Sequence, residues 1–399
     1  MRIAYHCSDR GVPVFGTKGC SVHVQEVLRA FDAAGHALEL FAARTDGPRP
    51  GFLGAHQVHE LVRPRSTDTA RLEQMTLDAN AGARHQLITN GPFDLVYERY
   101  SLWSYAAMEY AREHAIPGIL EVNAPLIEEQ TQYRELVSRS DAREATRRSL
   151  AAASHIVAVS TQLASYLRDQ FPESASRIHV VGNGVDGGRF VPTSDVGLTR
   201  TDGPFTVGFV GSLKPWHGVE LLIDAFAALC DHRRDCKLLI VGDGPLRDRL
   251  EQRARIALDV DAATVEFTGS VTPDAIPSHL RRMDVAVAPY PNHESFYFSP
   301  LKILQYMAAS LPVIASRIGD IPRLIRHDVN GVLTAPGDVS QLATQLVRLI
   351  EDYELRLRLG TAARQTIISD YSWGHVIQRI LRIASESSDP SAALIKAGA

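Results

Sequence analysis

The sequence predicts an α/β protein of two Rossmann-like parallel-sheet domains facing across a cleft. Three observations lead there. Short apolar strands alternate with helical stretches from the N-terminus to about Val185, the pattern of a parallel sheet wound with helices. Residues 186–204 then form a glycine-rich stretch with two prolines and no periodic apolar signal, the composition of a linker. The alternation restarts at Phe205 and runs to about Ser372.

The elements of the first domain (1–185) follow in order. Met1 to Cys7 reads as a strand, Ser8 to Lys18 as a glycine-bearing loop, Gly19 to Ala34 as a helix and His36 to Ala42 as a second strand. Thr67 to Thr89 has helical period, as do Leu102 to Glu113 and Ile127 to Ala153; Leu95 to Tyr97, Ile119 to Val122 and Ile156 to Val159 are short apolar strands. In the second domain (205–372) strands are expected at Phe205 to Val210, Lys237 to Val241, Thr264 to Phe267, Asp284 to Ala288, Pro312 to Ala315 and Gly331 to Thr334. Helices are expected at Val219 to Cys230, Leu246 to Ala257, Pro273 to Arg282, Pro300 to Ala309, Gln341 to Glu351 and Leu355 to Ile368. A last helix, 373–385, carries a broad apolar face and is expected to pack back on the first domain.

Composition sets the bounds. With 399 residues, 45% hydrophobic and 22% charged, the chain can fill two full cores. Its formal net charge of −4 implies no general attraction for nucleic acid, although a local basic patch stays open. The segment MRIAYHCSDR has no apolar core of signal-peptide length, and no run approaches a spanning helix, so a cytoplasmic protein is expected. Cys7, Cys20, Cys230 and Cys236 form no Cys-x-x-Cys pair and read as reduced thiols.

The candidate site lies at strand ends of the second domain. Parallel sheets bind ligands outside the carboxyl ends of their strands. In GSLKPWHGVE a strand ends at Gly211 and Ser212, and Lys214 and His217 precede a helix; glycine allows close backbone approach and Lys214 adds charge, which suits a diphosphate. The bland alternative makes Lys214 a solvated side chain and His217 a helix cap. Gly242 and Gly244 end the next strand, and Gly269, followed by Val271, ends the third. Between Ala288 and Pro300 runs a loop of roughly 11 residues, longer than the usual connection and therefore a functional candidate; Ser299 and Pro300 then open a helix whose N-terminal N–H groups favour anions.

Taken together, GSLKPWHGVELLIDAF, LLIVGDGPLRDRLE, VEFTGSV, DVAVAPY, SPLKILQYMAASLPVIAS and NGVLTAPGD resemble the nucleotide-binding domain of retaining glycosyltransferases of family 4, which have the GT-B fold. GTKGCSVHVQEVLRAFDAAGHALELF and VVGNGVDGGRF resemble that family's first loop and helix and its interdomain signature, so the resemblance spans essentially the whole chain. It implies transfer of a sugar from a nucleotide diphosphate-sugar, UDP being the commonest carrier, with retained configuration and without a metal or other cofactor. The single Asp-x-Asp, Asp259 and Asp261, sits near a helix end and is not expected to hold a metal.

The departures from the family pattern locate the open questions. Where the family carries Arg and Lys on its first phosphate loop, this chain has Ser212 and His217, so Lys214 and His217 become the candidate phosphate cations. Where the family has two glutamates, the chain has Tyr297 and Gln305; Glu294 either supplies the missing carboxylate or is a solvated loop charge, and Lys302 faces either phosphate or solvent. Ser299, the Leu301 backbone and Gln305 are expected to hold the nucleotide and sugar. In the first domain Gly19 takes the position of a glycine lying against donor phosphate and acceptor, His23 that of a packing histidine, and Asn123 that of a catalytic-side histidine. Glu121, Glu128 and Arg99 are acceptor contacts or structural ion pairs. The acceptor is a sugar, a natural product or a lipid-linked glycan, which leaves peripheral membrane contact open. Rival readings are a sugar-nucleotide epimerase or glycoside phosphorylase on the same fold, or an inactive nucleotide-sugar binder.

Overall fold

The computed structural model describes residues 1–190, 203–232, 235–258, 264–293, 296–297 and 299–386. Two compact units share the chain: one holds Met1–Asn183 together with the chain from Trp373, the other Gly184–Ser372.

The first unit is built on β1 (Arg2–Cys7), β2 (Ala37–Ala42), β3 (Gln57–Glu60), β4 (Leu95–Arg99), β5 (Gly118–Val122), β6 (His155–Ala158) and β7 (Ile178–Val180). They lie in the order β3-β2-β1-β4-β5-β6-β7, every pair parallel, with Tyr5 of β1 opposite Leu40 and Tyr97. The second unit has β8 (Phe205–Val210), β9 (Cys236–Val241), β10 (Val265–Phe267), β11 (Val285–Ala288), β12 (Val313–Ser316) and β13 (Val332–Thr334). Their order is β10-β9-β8-β11-β12-β13, again all parallel. In each sheet the winding reverses once, between β1 and β4 and between β8 and β11, which is where such sheets leave a crevice for a ligand.

Strand alternation sorts the second unit's core onto two faces. Val210, Leu239, Val241, Ala286, Ala288 and Val313 lie on one, while Val207, Phe209, Leu238, Ile240, Val285 and Ile314 lie on the other. In the first unit the helix Trp373–Ser385 lays Trp373, Val376, Ile377, Ile380 and Ile383 into the same apolar cluster as Val24, Val27, Leu28 and Phe31 of the helix Gly19–Ala33. Among the described residues no helix is long and apolar enough to cross a membrane.

Several element boundaries differ from the sequence expectation, each through a distant partner. The expected helix over 127–153 is two helices, Leu126–Tyr133 and Arg139–Ala152, because the buried Glu73 carboxylate accepts the N–H groups of Val137 (3.0 Å) and Ser138 (2.8 Å) and so caps the second helix from outside. The helix expected from Leu102 begins at Ala106, where Asn80 Oδ1 accepts the N–H groups of Tyr105 and Ala106. The stretch expected as one helix over 273–282 is a 3₁₀ turn, Pro273–Ala275, followed by Ile276–Leu280. Strand β3 is short and polar, and β7 has only three residues, so neither carries a readable period.

Candidate functional site

The carboxyl ends of β8, β9 and β10 are knitted to one another. Gly211 N–H donates to Val241 O (2.9 Å), Leu213 N–H to Asp243 O (2.9 Å) and Gly242 N–H to Gly269 O (3.1 Å). A Cβ on Gly242 would stand 2.1 Å from Gly211 O, and one on Gly244 would stand 2.6 Å from the Leu213 backbone. The packing of one strand end on the next therefore already requires glycine at these two positions. Gly269 adopts φ +73°, and a Cβ there would lie 2.8 Å from Arg247 Nη1. Val271 turns inward as a partly buried member of the core.

Beyond Gly211 the chain makes a single 3₁₀ turn, Pro215–His217, and closes it with Gly218 at φ +66°. That turn sits tightly on the loop after β11, since a Cβ on Gly218 would come 1.8 Å from Pro289 O. His217 Nδ1 donates to the Ser212 carbonyl oxygen, which leaves Nε2 as the acceptor. Burial, then the nearby Lys302 charge, push its imidazolium down to about 4. With no anion beside it, this favours neutral His217 at pH 7. Lys214, half-buried, has its Nζ 5.7 Å from the Trp216 ring and forms no ion pair among the described residues.

The cation that the sequence left undecided is Lys302. Its helix, Leu301–Ala308, is fixed by Tyr306, whose hydroxyl accepts the Val210 N–H (2.7 Å) and reaches Val210 O (3.2 Å). Residues four apart share a helix face, so Lys302 falls beside Gly211, one residue beyond Val210. A Cβ on Gly211 would stand 2.8 Å from Lys302 Nζ. The amine lies 4.3 Å from the Phe209 ring centre and 5.3 Å from that of Tyr290. It is sealed from solvent and has no hydrogen-bond partner among the described residues. Burial lowers its pKa to about 7.

The neighbouring positions divide. Leu301 N–H donates to Ser299 O (2.9 Å), and Pro300 O accepts from Ile303 and Leu304. Gln305 is half-buried, with no side-chain hydrogen bond among the described residues. Glu294 lies outside the described residues, as do Asp259 and Asp261.

In the first unit Gly19 opens its helix with no side-chain cap at Lys18, and nothing lies within 4 Å of where its Cβ would be. At the ends of β4 and β5, Arg99 Nη1 donates to His23 Nδ1 (3.1 Å), and His23 Nε2 faces Asn183 Oδ1 (3.1 Å) and Glu121 Oε1 (3.2 Å). Burial raises the Glu121 carboxyl, but His23, the Arg99 charge and the neighbouring Asn123 amide outweigh it and hold the group down to about 2. Glu121 and Arg99 therefore form a buried, internally paired network around His23. Glu128 is taken by Tyr166 and Arg139. Asn123 Nδ2, buried, completes no hydrogen bond of good geometry among the described residues.

In the second unit a buried amine at the sheet's switch point suits an anionic ligand, and the first unit by itself presents an open helix N-terminus at Gly19. The "Glycosyl transferases group 1" family model matches residues 204–352, and the "Glycosyltransferase Family 4" model matches residues 17–189. A D-inositol 3-phosphate glycosyltransferase from Salinispora tropica is 27% identical over 96% of this chain and 84% of its own length. A glycogen synthase from Mycobacterium tuberculosis is 31% identical over 55% of this chain and 50% of its own. Sucrose-phosphate synthase from Thermosynechococcus elongatus shares the fold at TM-score 0.72 and 19% identity, over 100% of both chains. So does Anabaena HepE in complex with UDP and glucose, at 0.68 and 21%, over 96% of this chain and 99% of that one. The chain belongs to the family 4 glycosyltransferases and has their GT-B fold.

Proposed function

We propose that the protein transfers a sugar from a UDP-sugar to an acceptor hydroxyl, with retention at the anomeric carbon and without a metal. The observation that carries this is Lys302, a lysine amine held beside Gly211 at the β8–β11 switch point with no acidic partner among the described residues. A buried lysine is costly unless an anion meets it, and a departing diphosphate is such an anion. UDP as the carrier is supported by the HepE structures, which hold UDP.

In the step itself the bond from the sugar C1 to the diphosphate oxygen breaks while the acceptor oxygen bonds C1 on the same face. The acceptor proton passes to an oxygen of the leaving diphosphate. Lys302 as ammonium, with Lys214 from the loop, stabilises the charge that develops there. Removing one such donor costs about 2.7–4 kcal/mol in comparable oxyanion sites. His217 stays neutral and offers Nε2 as an acceptor; Gln305 hydrogen-bonds sugar or ribose hydroxyls as a neutral group. Asn123 stands where a proton acceptor would, and an amide cannot take a proton at neutral pH. A base supplied by the donor itself is consistent with this and with retention.

The test is UDP release from UDP-sugars offered with a panel of polyol and carbohydrate acceptors in EDTA, with the anomer of the product read by proton NMR. The expected result is acceptor-dependent release, unaffected by EDTA, and an α-linked product from an α-linked donor. A β-linked product overturns retention, activity lost to EDTA overturns metal independence, and a preference for GDP-, ADP- or TDP-sugar overturns the base assignment.

A further inference from the structure

We propose that the acceptor carries a phosphate group, bound by an arginine-lined cavity in the first unit; this rests on the reading of that unit as the acceptor side of a glycosyltransferase. The cavity has a volume of about 960 Å³ and is lined only by residues between Ser8 and Glu135. Ser8, Arg99 and Asn123, at the carboxyl ends of β1, β4 and β5, belong to its wall. Its size suits one small polyhydroxylated molecule.

The wall carries Arg10, Arg44, Arg63, Arg65, Arg99 and Arg134. Such a concentration in a chain of net charge −4 calls for a cause. Four carboxylates, Asp9, Glu73, Glu129 and Glu135, share the wall, and none pairs with Arg10, Arg65 or Arg134 among the described residues. Asp9 accepts Gly11 N–H (2.7 Å), Glu73 caps a helix at Val137 and Ser138, and Glu135 accepts the Thr69 hydroxyl (2.5 Å). Arg44 and Arg63 share Asp46, at 2.6 and 3.6 Å, and Arg99 is held by His23. The exposed side chains of Arg10, Arg65 and Arg134 make no hydrogen bond or ion pair among the described residues.

Guanidinium does not discharge at any pH a protein survives, so all three stay charged. The planar fork of arginine matches the oxygens of a phosphate in pairs. The same wall presents Asn123, whose Nδ2 completes no hydrogen bond of good geometry among the described residues and can donate to an acceptor hydroxyl. A phosphate at the arginine end and hydroxyls at the strand ends would orient the acceptor for transfer.

The test is isothermal titration of the full chain at low ionic strength with inorganic phosphate, glycerol 3-phosphate, glycerol and, separately, UDP. A sedimentation arm uses phosphatidylcholine vesicles with 20% phosphatidic acid. Inorganic phosphate and glycerol 3-phosphate should bind and glycerol should not. The exposed-residue variant Arg134→Ala should weaken phosphate binding several-fold, and Arg10→Ala/Arg65→Ala/Arg134→Ala at least tenfold, with UDP affinity unchanged in both. Retention on the vesicles, lost in the triple variant, would put the phosphate on a lipid headgroup; binding of glycerol 3-phosphate alone would put it on a soluble acceptor. Equal binding of phosphate by wild type and triple variant, or binding of no phosphate probe by the wild type, overturns the proposal. Failure of the wild type to bind UDP would strike the donor reading instead, leaving the phosphate result to stand by itself.

Discussion

Lys302 couples the protonation of one side chain to both folding and donor binding. Its amine has an ordinary pKa of 10.5 and a folded value of about 7. Between those pH values the unfolded chain holds the proton and the folded chain does not, so stability rises with pH across that window; below about 7 both states are charged and the burial cost is felt in full. Among the described residues the groups facing the amine are the Phe209 and Tyr290 rings and His217, and none offers a carboxylate. Lys302→Met should therefore raise the melting temperature at pH 7 and below and flatten the rise in stability between pH 7 and 10. A diphosphate favours the ammonium, so the wild type should take up a proton on binding UDP at pH 8, and its UDP affinity should fall by up to about tenfold per pH unit above 7. Titration in buffers of different ionisation enthalpy counts that proton. A wild-type protein whose UDP affinity is flat from pH 7 to 9 would remove Lys302 from the diphosphate site.

The helix Leu301–Ala308 shows how far element-level reading extends. Its presence was legible from Pro300 and from the apolar run that follows, and its start at the carboxyl edge of β11 marked it as a binding element. Its orientation was not legible, because that is set by Tyr306 reaching Val210, 96 positions away in sequence. The same limit explains the other misses. Glu73 breaks the long helix from 64 residues away, and Gly242 and Gly244, just after β9, answer to backbone packing that no local pattern reveals. Hydrophobic period located nearly every central strand; only the polar or three-residue edges β3 and β7 escaped it. The orientation argument is testable. Tyr306→Phe leaves the buried Val210 N–H without its acceptor, which should cost about 1–3 kcal/mol. Because it also loosens Lys302, UDP affinity should drop by more than the small change expected of a side chain that touches no ligand. Unaltered UDP affinity in a folded Tyr306→Phe variant would show that Lys302 is positioned by something else.

At the scale of the molecule, chain order and core membership part company. The chain leaves the first unit near Asn183, builds the whole second unit, and only then returns with Trp373–Ser385. Until that helix arrives, the face of the helix Gly19–Ala33 carrying Val24, Val27 and Leu28 lacks part of its cover, so the first unit cannot complete its core during synthesis of its own contiguous segment. The return is anchored by Trp373, edge-on to His23 at 5.3 Å between ring centres, and continues through Val376, Ile377, Ile380 and Ile383. Ile380 is 1% exposed and belongs to the first unit's cluster alone. Ile380→Ala should cost about 2–5 kcal/mol by transfer and cavity terms, and the loss should fall on the first unit. Since the second unit's two core clusters contain no residue of this helix, titration of the folded variant should give wild-type UDP affinity, while its thermal unfolding moves several degrees lower. A destabilisation below about 1 kcal/mol would mean that the helix seals nothing. A parallel loss of UDP affinity would mean that the two units do not carry separate stabilities, and the division of labour proposed for donor and acceptor would then have to be redrawn.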